Sequence, residues 1–134
     1  MTTLELNTFQ SDPELEEKGV WRPIGNGAEA LIARVGNKKF RSLIRRKLKS
    51  NRAIIEQEDD LAEEVSEEVM IEVYAHTVLL DLKNVSIDGK PLDRYTPELG
   101  IKLLKMRDFR DRIKSYAEDA EAFRIKRDEK VGNS

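Results

Sequence analysis

The feature that most constrains this chain is a long apolar stretch between Leu61 and Asn84. Apolar side chains recur within it at helical spacing, as at Leu61, Val65, Val69 and Val73. Two such stripes together make most of the circumference of a helix apolar. The sequence therefore predicts one long helix, buried in its second half, around which the other elements pack.

The same stretch does not predict a membrane-spanning segment. Glu72, His76 and Asp81 interrupt its apolar half, which is shorter than the about 20 apolar residues that a bilayer requires. The first residues, 1–6, have no basic region followed by an apolar core, so no signal peptide is predicted. We expect no membrane partner and a location in the cytoplasm.

The composition further limits the classes of protein and of binding site that are possible. A chain of 134 residues is long enough for one domain with a buried core. It has no cysteine, which excludes disulfides and cysteine metal sites. Charged residues make up 37% of the sequence while the net charge is only −2, so bulk charge does not indicate a binder of polyanions.

The charges are arranged in two blocks of opposite sign. Eight basic residues and no acid lie between positions 38 and 52, and eight acids and no base lie between positions 56 and 68. Such blocks cancel if they face each other within one fold, or if one copy of the chain faces another. The sequence leaves both arrangements open.

The N-terminal part of the chain predicts an arm followed by a β-hairpin. Residues 1–18 read as a flexible arm, and two short apolar runs within 20–35 flank Gly25-Asn26-Gly27, a turn signature. Pro23 restricts the first strand to a sheet edge. An isolated hairpin is marginally stable, so we expect it to dock on the helices with Trp21 as its anchor.

The remaining elements are predicted to be helical. Phe40, Leu43, Ile44 and Leu48 give an amphipathic helix ending near Ser50. Two further helices follow, one opened by the N-cap Thr96 with Pro97 in its first turn, the other beginning near Asp108 and running to about Lys130. The predicted fold is mainly α: about four helices in one domain over residues 19–130, the hairpin packed on them, and a frayed end at 131–134.

No catalytic, metal or cofactor site is predicted. The single histidine, His76, has no second histidine or cysteine with which to share a metal. Its apolar surroundings predict a core or interface residue whose ring is hydrogen-bonded. No phosphate-binding glycine motif is present. We expect a protein without enzymatic activity.

The charged blocks supply the candidate partner-binding residues. The basic block could contact phosphates of nucleic acid, but no aromatic residue is interleaved with it apart from Phe40 of the apolar stripe. An acidic protein partner, or the chain's own acidic block, is favoured. The candidate residues are Lys38, Lys39, Arg41, Arg45, Arg46, Lys47, Lys49, Glu63, Glu64, Glu67 and Glu68.

The second half of the chain resembles the tail assembly chaperones of long-tailed, siphovirus-type bacteriophages. The resemblance rests on the order of Asp81-Leu82-Lys83-Asn84-Val85, the turn Asp88-Gly89-Lys90-Pro91, and Tyr95-Thr96-Pro97-Glu98 opening a helix, followed by Leu103, Phe109, Ile113 and Phe123. The first half agrees in kind, with a hairpin, then Ala33-Arg34-Val35-Gly36-Asn37 and Phe40, then a basic helix, so the resemblance covers about residues 21–134. One departure is Leu82, where the family pattern often has tryptophan.

The resemblance implies a non-enzymatic helper of virion assembly. Such proteins keep the tape measure protein soluble, assist polymerisation of the tail tube protein, act in the host cytoplasm and are absent from the mature virion. Such proteins are commonly made in two lengths, the longer by a programmed frameshift. We expect self-association of this chain and recruitment of the tail tube protein by the added segment of a longer form. The alternative is a small helical nucleic-acid-binding or regulatory protein that uses residues 38–52.

Overall fold

The computed structural model describes residues 2–126, in which six α-helices accompany five β-strands. The helices are α1 (Pro13–Lys18), α2 (Lys38–Ser50), α3 (Arg52–Ile55), α4 (Asp60–Thr77), α5 (Pro97–Leu104) and α6 (Arg107–Glu118). The strands are β1 (Val20–Gly25), β2 (Ala28–Ile32), β3 (Leu79–Lys83), β4 (Ser86–Ile87) and β5 (Lys90–Pro91). Short 3₁₀ turns at Leu6–Phe9 and Ala120–Phe123 lie outside them.

The fold is mixed α and β, so the prediction of a mainly α domain with a single hairpin was wrong. The strands form a three-stranded antiparallel sheet of order β1-β2-β3 and a separate antiparallel pair, β4-β5. The predicted hairpin is present, and Asn26 and Gly27 form its two-residue turn with positive φ values of 50° and 80°. Such φ values belong to the type I′ turn, which matches the twist of paired strands.

The sheet gains its third strand from the stretch that was predicted to be one long helix. The helix α4 ends at Thr77, and the chain then pairs with β2 through residues 79–83. Because β2 is the middle strand, its inward side chains Ala30 and Ile32 are fully buried. The prediction that Pro23 lies in an edge strand was confirmed.

The core lies between the inner face of the sheet and the helices α4, α5 and α6. It is built from Ile32, Ile71, Leu79, Leu104 and Ile113 together with neighbouring apolar residues. All five are almost completely buried. The hairpin is therefore held by its own chain's helices.

Trp21 does not anchor the hairpin to this core, contrary to expectation. It pairs with Leu31, whose side chain alternates with the buried Ala30 and Ile32 and therefore lies on the outer face of the sheet. The ammonium group of Lys83 lies 4.2 Å from the centre of the indole ring. The hairpin docks through the small and β-branched residues of β2.

The last helix is shorter than the sequence predicts. Thr96 caps α5 by accepting a hydrogen bond from the Leu99 amide, as expected. Helix α6, however, ends at Glu118, where Asp119 is its C-cap, rather than near Lys130. The predicted end of that helix and the predicted frayed end lie outside the described residues.

Candidate functional site

An open groove runs between α2, α4 and α6, with a volume of about 490 Å³. Its floor is apolar and its rims are charged. The floor residues are Val35, Phe40, Met70, Ile71, Tyr74 and Leu104, and the rim residues are Glu67, Arg110, Asp111, Lys114 and Glu118.

The groove follows from the way α2 sits on α4. The side chain of Asn37 caps α2 by accepting a hydrogen bond from the Phe40 amide and donates at 3.0 Å to the carbonyl of Thr77, the last residue of α4. The start of α2 is thereby fixed against the end of α4. Phe40 then packs edge-on against Tyr74, with ring centres 6.0 Å apart, which sets one wall of the groove.

Tyr74 brings an unused polar group to the groove floor. The residue is only 5% exposed, yet within residues 2–126 its hydroxyl makes no hydrogen bond. That oxygen is not sealed from solvent, so it opens into the groove. Burial, and secondarily the charge of Glu118, raises the pKa of Tyr74 to about 12, so the hydroxyl is a neutral hydrogen-bond donor at ordinary pH.

The groove rim is partly neutralised by pairing across the helices. Arg110 of α6 reaches Glu67 of α4 at 3.0 Å and donates to the carbonyl of Leu104 at 2.9 Å. Lys114 and Glu118 have no ion-pair partner among the described residues. The rim can therefore offer one charge of each sign to a ligand. The sequence did not assign Arg110 a role, because the pairing depends on where α5 and β2 place α6.

The candidate basic residues lie on α2, where most of them form an exposed face. We define the basic face as Lys38, Lys39, Arg41, Arg45, Arg46 and Lys49, all of which are exposed. None of them forms a salt bridge within the described part of the chain. Lys47 lies apart from them, since its ammonium is 2.7 Å from the carboxylate of Glu72 at the seam of α2 and α4.

The candidate acidic residues lie on the first half of α4. We define the acidic face as Asp60, Glu63, Glu64 and Glu68, which are exposed and, among residues 2–126, make no salt bridge. Glu67 belongs to the groove rim instead. The one salt bridge joining the two sequence blocks in this part of the chain is Arg52 with Glu56, at 3.9 Å on neighbouring turns. The two faces therefore do not neutralise each other within the chain.

His76 is exposed, so the core position, one of its two predicted places, was wrong. The other, an interface position, stays a prediction. His76 lies on the outer side of α4, and none of the described residues hydrogen-bonds its ring. Within residues 2–126 there is no cluster of three or more residues suited to hold a metal ion. In that same range, no helix is both long enough and apolar enough to cross a membrane.

A second, shallower groove lies beside the hairpin, with a volume of about 410 Å³. Ile24, Leu82, Leu103, Met106 and Phe109 supply its apolar lining. It carries neither the charged rims nor a buried polar group with a free hydrogen bond. The groove over Tyr74 is the better candidate site for these reasons.

Comparison with known proteins gives one family. No curated protein and no solved structure matches the chain. The family described as YdaY prophage protein matches residues 35–133, a range that contains every residue of the groove and of both charged faces but leaves out the hairpin. The chain therefore belongs to the YdaY prophage protein family and is of phage origin.

Proposed function

We propose that this phage protein is a non-enzymatic tail assembly chaperone that covers an apolar helix of the tape measure protein. The single observation that carries the proposal is the groove, whose apolar floor and charged rims match one amphipathic helix. Phage origin and the resemblance of the second half to tail assembly chaperones support the choice of partner.

The groove suits a helix by its chemistry. A bound helix would place apolar side chains at spacings of three and four on Phe40, Met70 and Ile71, as in other helix-in-groove complexes. Met70 is 40% exposed in the free chain, and its unbranched side chain adapts to different partners. Lys114 and Glu118 on the rim would fix the direction of the helix through charge pairs.

The physical need for such a cover comes from the tape measure itself. A long helical chain with an exposed apolar stripe aggregates unless the stripe is buried. A small domain with one apolar groove and strongly charged outer faces hides a segment of that stripe and keeps the complex soluble. The location that fits this role is the host cytoplasm during assembly, with the protein absent from the finished particle.

The test is co-expression with the tape measure protein of the same prophage, followed by measurement of its soluble fraction. Met70→Glu places a charge on the groove floor at a position already open to solvent, so we expect a folded variant that no longer raises this fraction. Met106→Glu is the matched control, because Met106 is 54% exposed and lies outside the groove.

The two variants separate the outcomes. Thermal unfolding of each first establishes that it is folded. If Met70→Glu solubilises the tape measure as well as the unchanged protein does, the groove is not the site. If Met106→Glu alone loses the effect, the second groove is used instead, which contradicts the proposal.

The recruitment of the tail tube protein is proposed to need a longer, frameshifted form. The gene expressed together with its downstream region should yield two products that share an N-terminus, and only the longer one should retain the tail tube protein in a pull-down. A single product from a region with no continuation in another frame would contradict this part.

The second candidate function is contact with nucleic acid, which the unpaired cations of the basic face favour. Phosphate contacts release counterions, so binding to duplex DNA would fall steeply between about 50 and 200 mM salt. Binding that is absent at the lower salt concentration would leave the basic face to a protein partner.

A further inference from the structure

The Tyr74 hydroxyl differs from those of the other two tyrosines in having no partner within the described part of the chain. The Tyr95 hydroxyl donates to the Ala75 carbonyl at 2.8 Å, and the Tyr116 hydroxyl donates to the Pro23 carbonyl at 2.6 Å. Tyr74 is the most buried of the three, at 5% exposed, and lines the groove. Its hydroxyl is therefore left to a molecule that occupies the groove.

The end of α6 places a carboxylate beside this hydroxyl. The Val35 amide donates to the Ala117 carbonyl at 3.0 Å, which fixes the last turn of α6 against the segment that leads into α2. Glu118, the next residue, lines the same groove as Tyr74 and forms no salt bridge among the described residues. Burial first, and the charge of Glu118 second, raise the pKa of Tyr74. The groove thus brings a hydroxyl donor and a carboxylate acceptor together.

A helix that covers the groove floor changes the surroundings of the Tyr74 hydroxyl. Solvent reaches this oxygen in the free chain, but apolar side chains packed on Phe40 and Ile71 would exclude that solvent. A buried hydroxyl without a hydrogen-bond partner is costly, whereas a partner on the ligand restores the bond. A helix whose stripe is apolar throughout should therefore bind less tightly than one that offers a suitable polar side chain at this point.

The two protein groups at this point match a primary amide. The neutral Tyr74 hydroxyl donates one hydrogen bond and the Glu118 carboxylate accepts one, while an amide offers its oxygen to the first and an N–H to the second. A charged side chain would lose its solvation on the apolar floor. Serine and threonine are shorter, and within a helix their hydroxyls bond to their own backbone. Of the two amide side chains, that of glutamine is longer and extends farther from a helix towards the floor.

We propose that Tyr74 and Glu118 select a helix that carries one glutamine on its apolar stripe. This selection rests on the proposed function, since it takes the occupant of the groove to be an amphipathic helix. The glutamine oxygen accepts from Tyr74, its N–H donates to Glu118, and the flanking apolar side chains pack on the floor. Tyr74 determines specificity because a stripe without a polar side chain leaves its hydroxyl unpaired. The position of the glutamine thereby decides which segment of a long apolar stripe the groove covers.

The test uses pairs of synthetic amphipathic helices of about 18 residues, or five turns. Each has a leucine stripe at spacings of three and four, with lysine and glutamate four residues apart on the exposed side. Within a pair, one stripe position carries glutamine in one helix and methionine in the other, and the pairs place this position at each point of the stripe in turn. Methionine matches glutamine in length but has no amide. Fluorescence anisotropy gives the preference, which is the Kd of the methionine helix divided by that of the glutamine helix.

The preference is compared among the unchanged protein and three variants. At one position of the glutamine, the preference of the unchanged protein should be about tenfold or more above that of Tyr74→Phe. This variant should fold, because the hydroxyl that it lacks makes no bond among the described residues. Glu118→Ala, at an exposed position, should lower the preference by about threefold or more. Tyr116→Phe is the matched control: it loses a hydroxyl outside the groove and should keep the preference of the unchanged protein.

The outcomes separate this selection from the proposed function. A preference that Tyr74→Phe and Glu118→Ala leave unaltered at every position would overturn the selection, as would an equal loss in Tyr116→Phe. If Met70→Glu abolishes binding of both helices of a pair while Tyr74→Phe changes nothing, the groove holds a helix without selecting glutamine, and the proposed function remains. If no helix binds the unchanged protein, or if Met70→Glu binds as tightly as the unchanged protein does, both proposals are wrong.

Discussion

At the scale of single residues, position 100 in α5 requires glycine because Tyr95 lies too close for a Cβ, and not because of the backbone conformation. A Cβ at this position would overlap the hydroxyl group of Tyr95, which donates a hydrogen bond to the Ala75 carbonyl at 2.8 Å. In an open helix, alanine would be about 1 kcal/mol more favourable than glycine. Here the added methyl group must displace the half-buried side chain of Tyr95 and break its hydrogen bond.

We therefore predict that Gly100→Ala destabilises the protein by about 1–2 kcal/mol, because overpacking and the lost hydrogen bond outweigh helix propensity. The free energy of unfolding from urea titration is the measurement. Lys102→Ala on the same helix is exposed and should change it by less than about 0.5 kcal/mol. A Gly100→Ala protein as stable as the unchanged one would show that Tyr95 moves aside without cost.

At the scale of elements, Asn37 joins three segments of the chain through one side chain. It is 2% exposed, and besides capping α2 it donates to the carbonyls of Arg34 and Thr77. Asn37→Ala removes the cap and leaves the buried Thr77 carbonyl without its side-chain donor, whereas the Arg34 carbonyl still accepts from the backbone amide of residue 37. We predict a loss of about 2–3 kcal/mol in the free energy of unfolding. Asn37→Asp keeps the cap acceptor but cannot donate, and it should recover only part of the loss. Equal stability of the Ala and Asp variants would contradict the role of the donated bonds.

The elements also show where sequence patterns stop being sufficient. The hairpin, the amphipathic helix α2, the cap at Thr96 and the break before α6 could be predicted because each is determined by local spacing and turn residues. Strand β3 could not, since a short apolar run has the same pattern in a buried helix and a buried strand. What decides between them is the edge of β2, a partner about 50 residues earlier in the chain.

The candidate site, like the fold, could be predicted from the sequence only in part. The charged blocks and the apolar residues Phe40 and Tyr74 are visible in the sequence as periodic patterns. Their arrangement in space is not visible there. The sequence alone could not show that the basic and acidic faces do not pair with each other, that Lys47 pairs with Glu72, or that Arg110 pairs with Glu67 at the groove rim. These features arise from the packing of α2 on α4 and of α6 on α5 and β2, and that packing depends on the sheet that was missed.

At the scale of the whole molecule, the range matched by the family begins later in the chain than the domain that folds as a unit. The match begins at residue 35, whereas the core includes Ala30 and Ile32 of β2. The hairpin is further tied to α6, because Arg22 lies 4.4 Å from the centre of the Tyr116 ring and the Tyr116 hydroxyl donates to the Pro23 carbonyl at 2.6 Å. The groove therefore depends on a segment outside the matched range.

This difference leads to a prediction about truncation. A chain that begins at residue 35 loses the middle strand of the sheet, and with it buried side chains such as Ile32, each of which contributes about 2–5 kcal/mol. Since a domain of this size has about 5–15 kcal/mol in total, we expect no cooperative unfolding transition by circular dichroism. Removal of residues 2–8 should instead lower the free energy of unfolding by less than about 1 kcal/mol, because they are exposed and hydrogen-bond only within that turn and to Gln10. A cooperative transition in the chain that begins at residue 35 would mean that the matched segment folds alone, and that α4 and α6 hold the groove without the sheet.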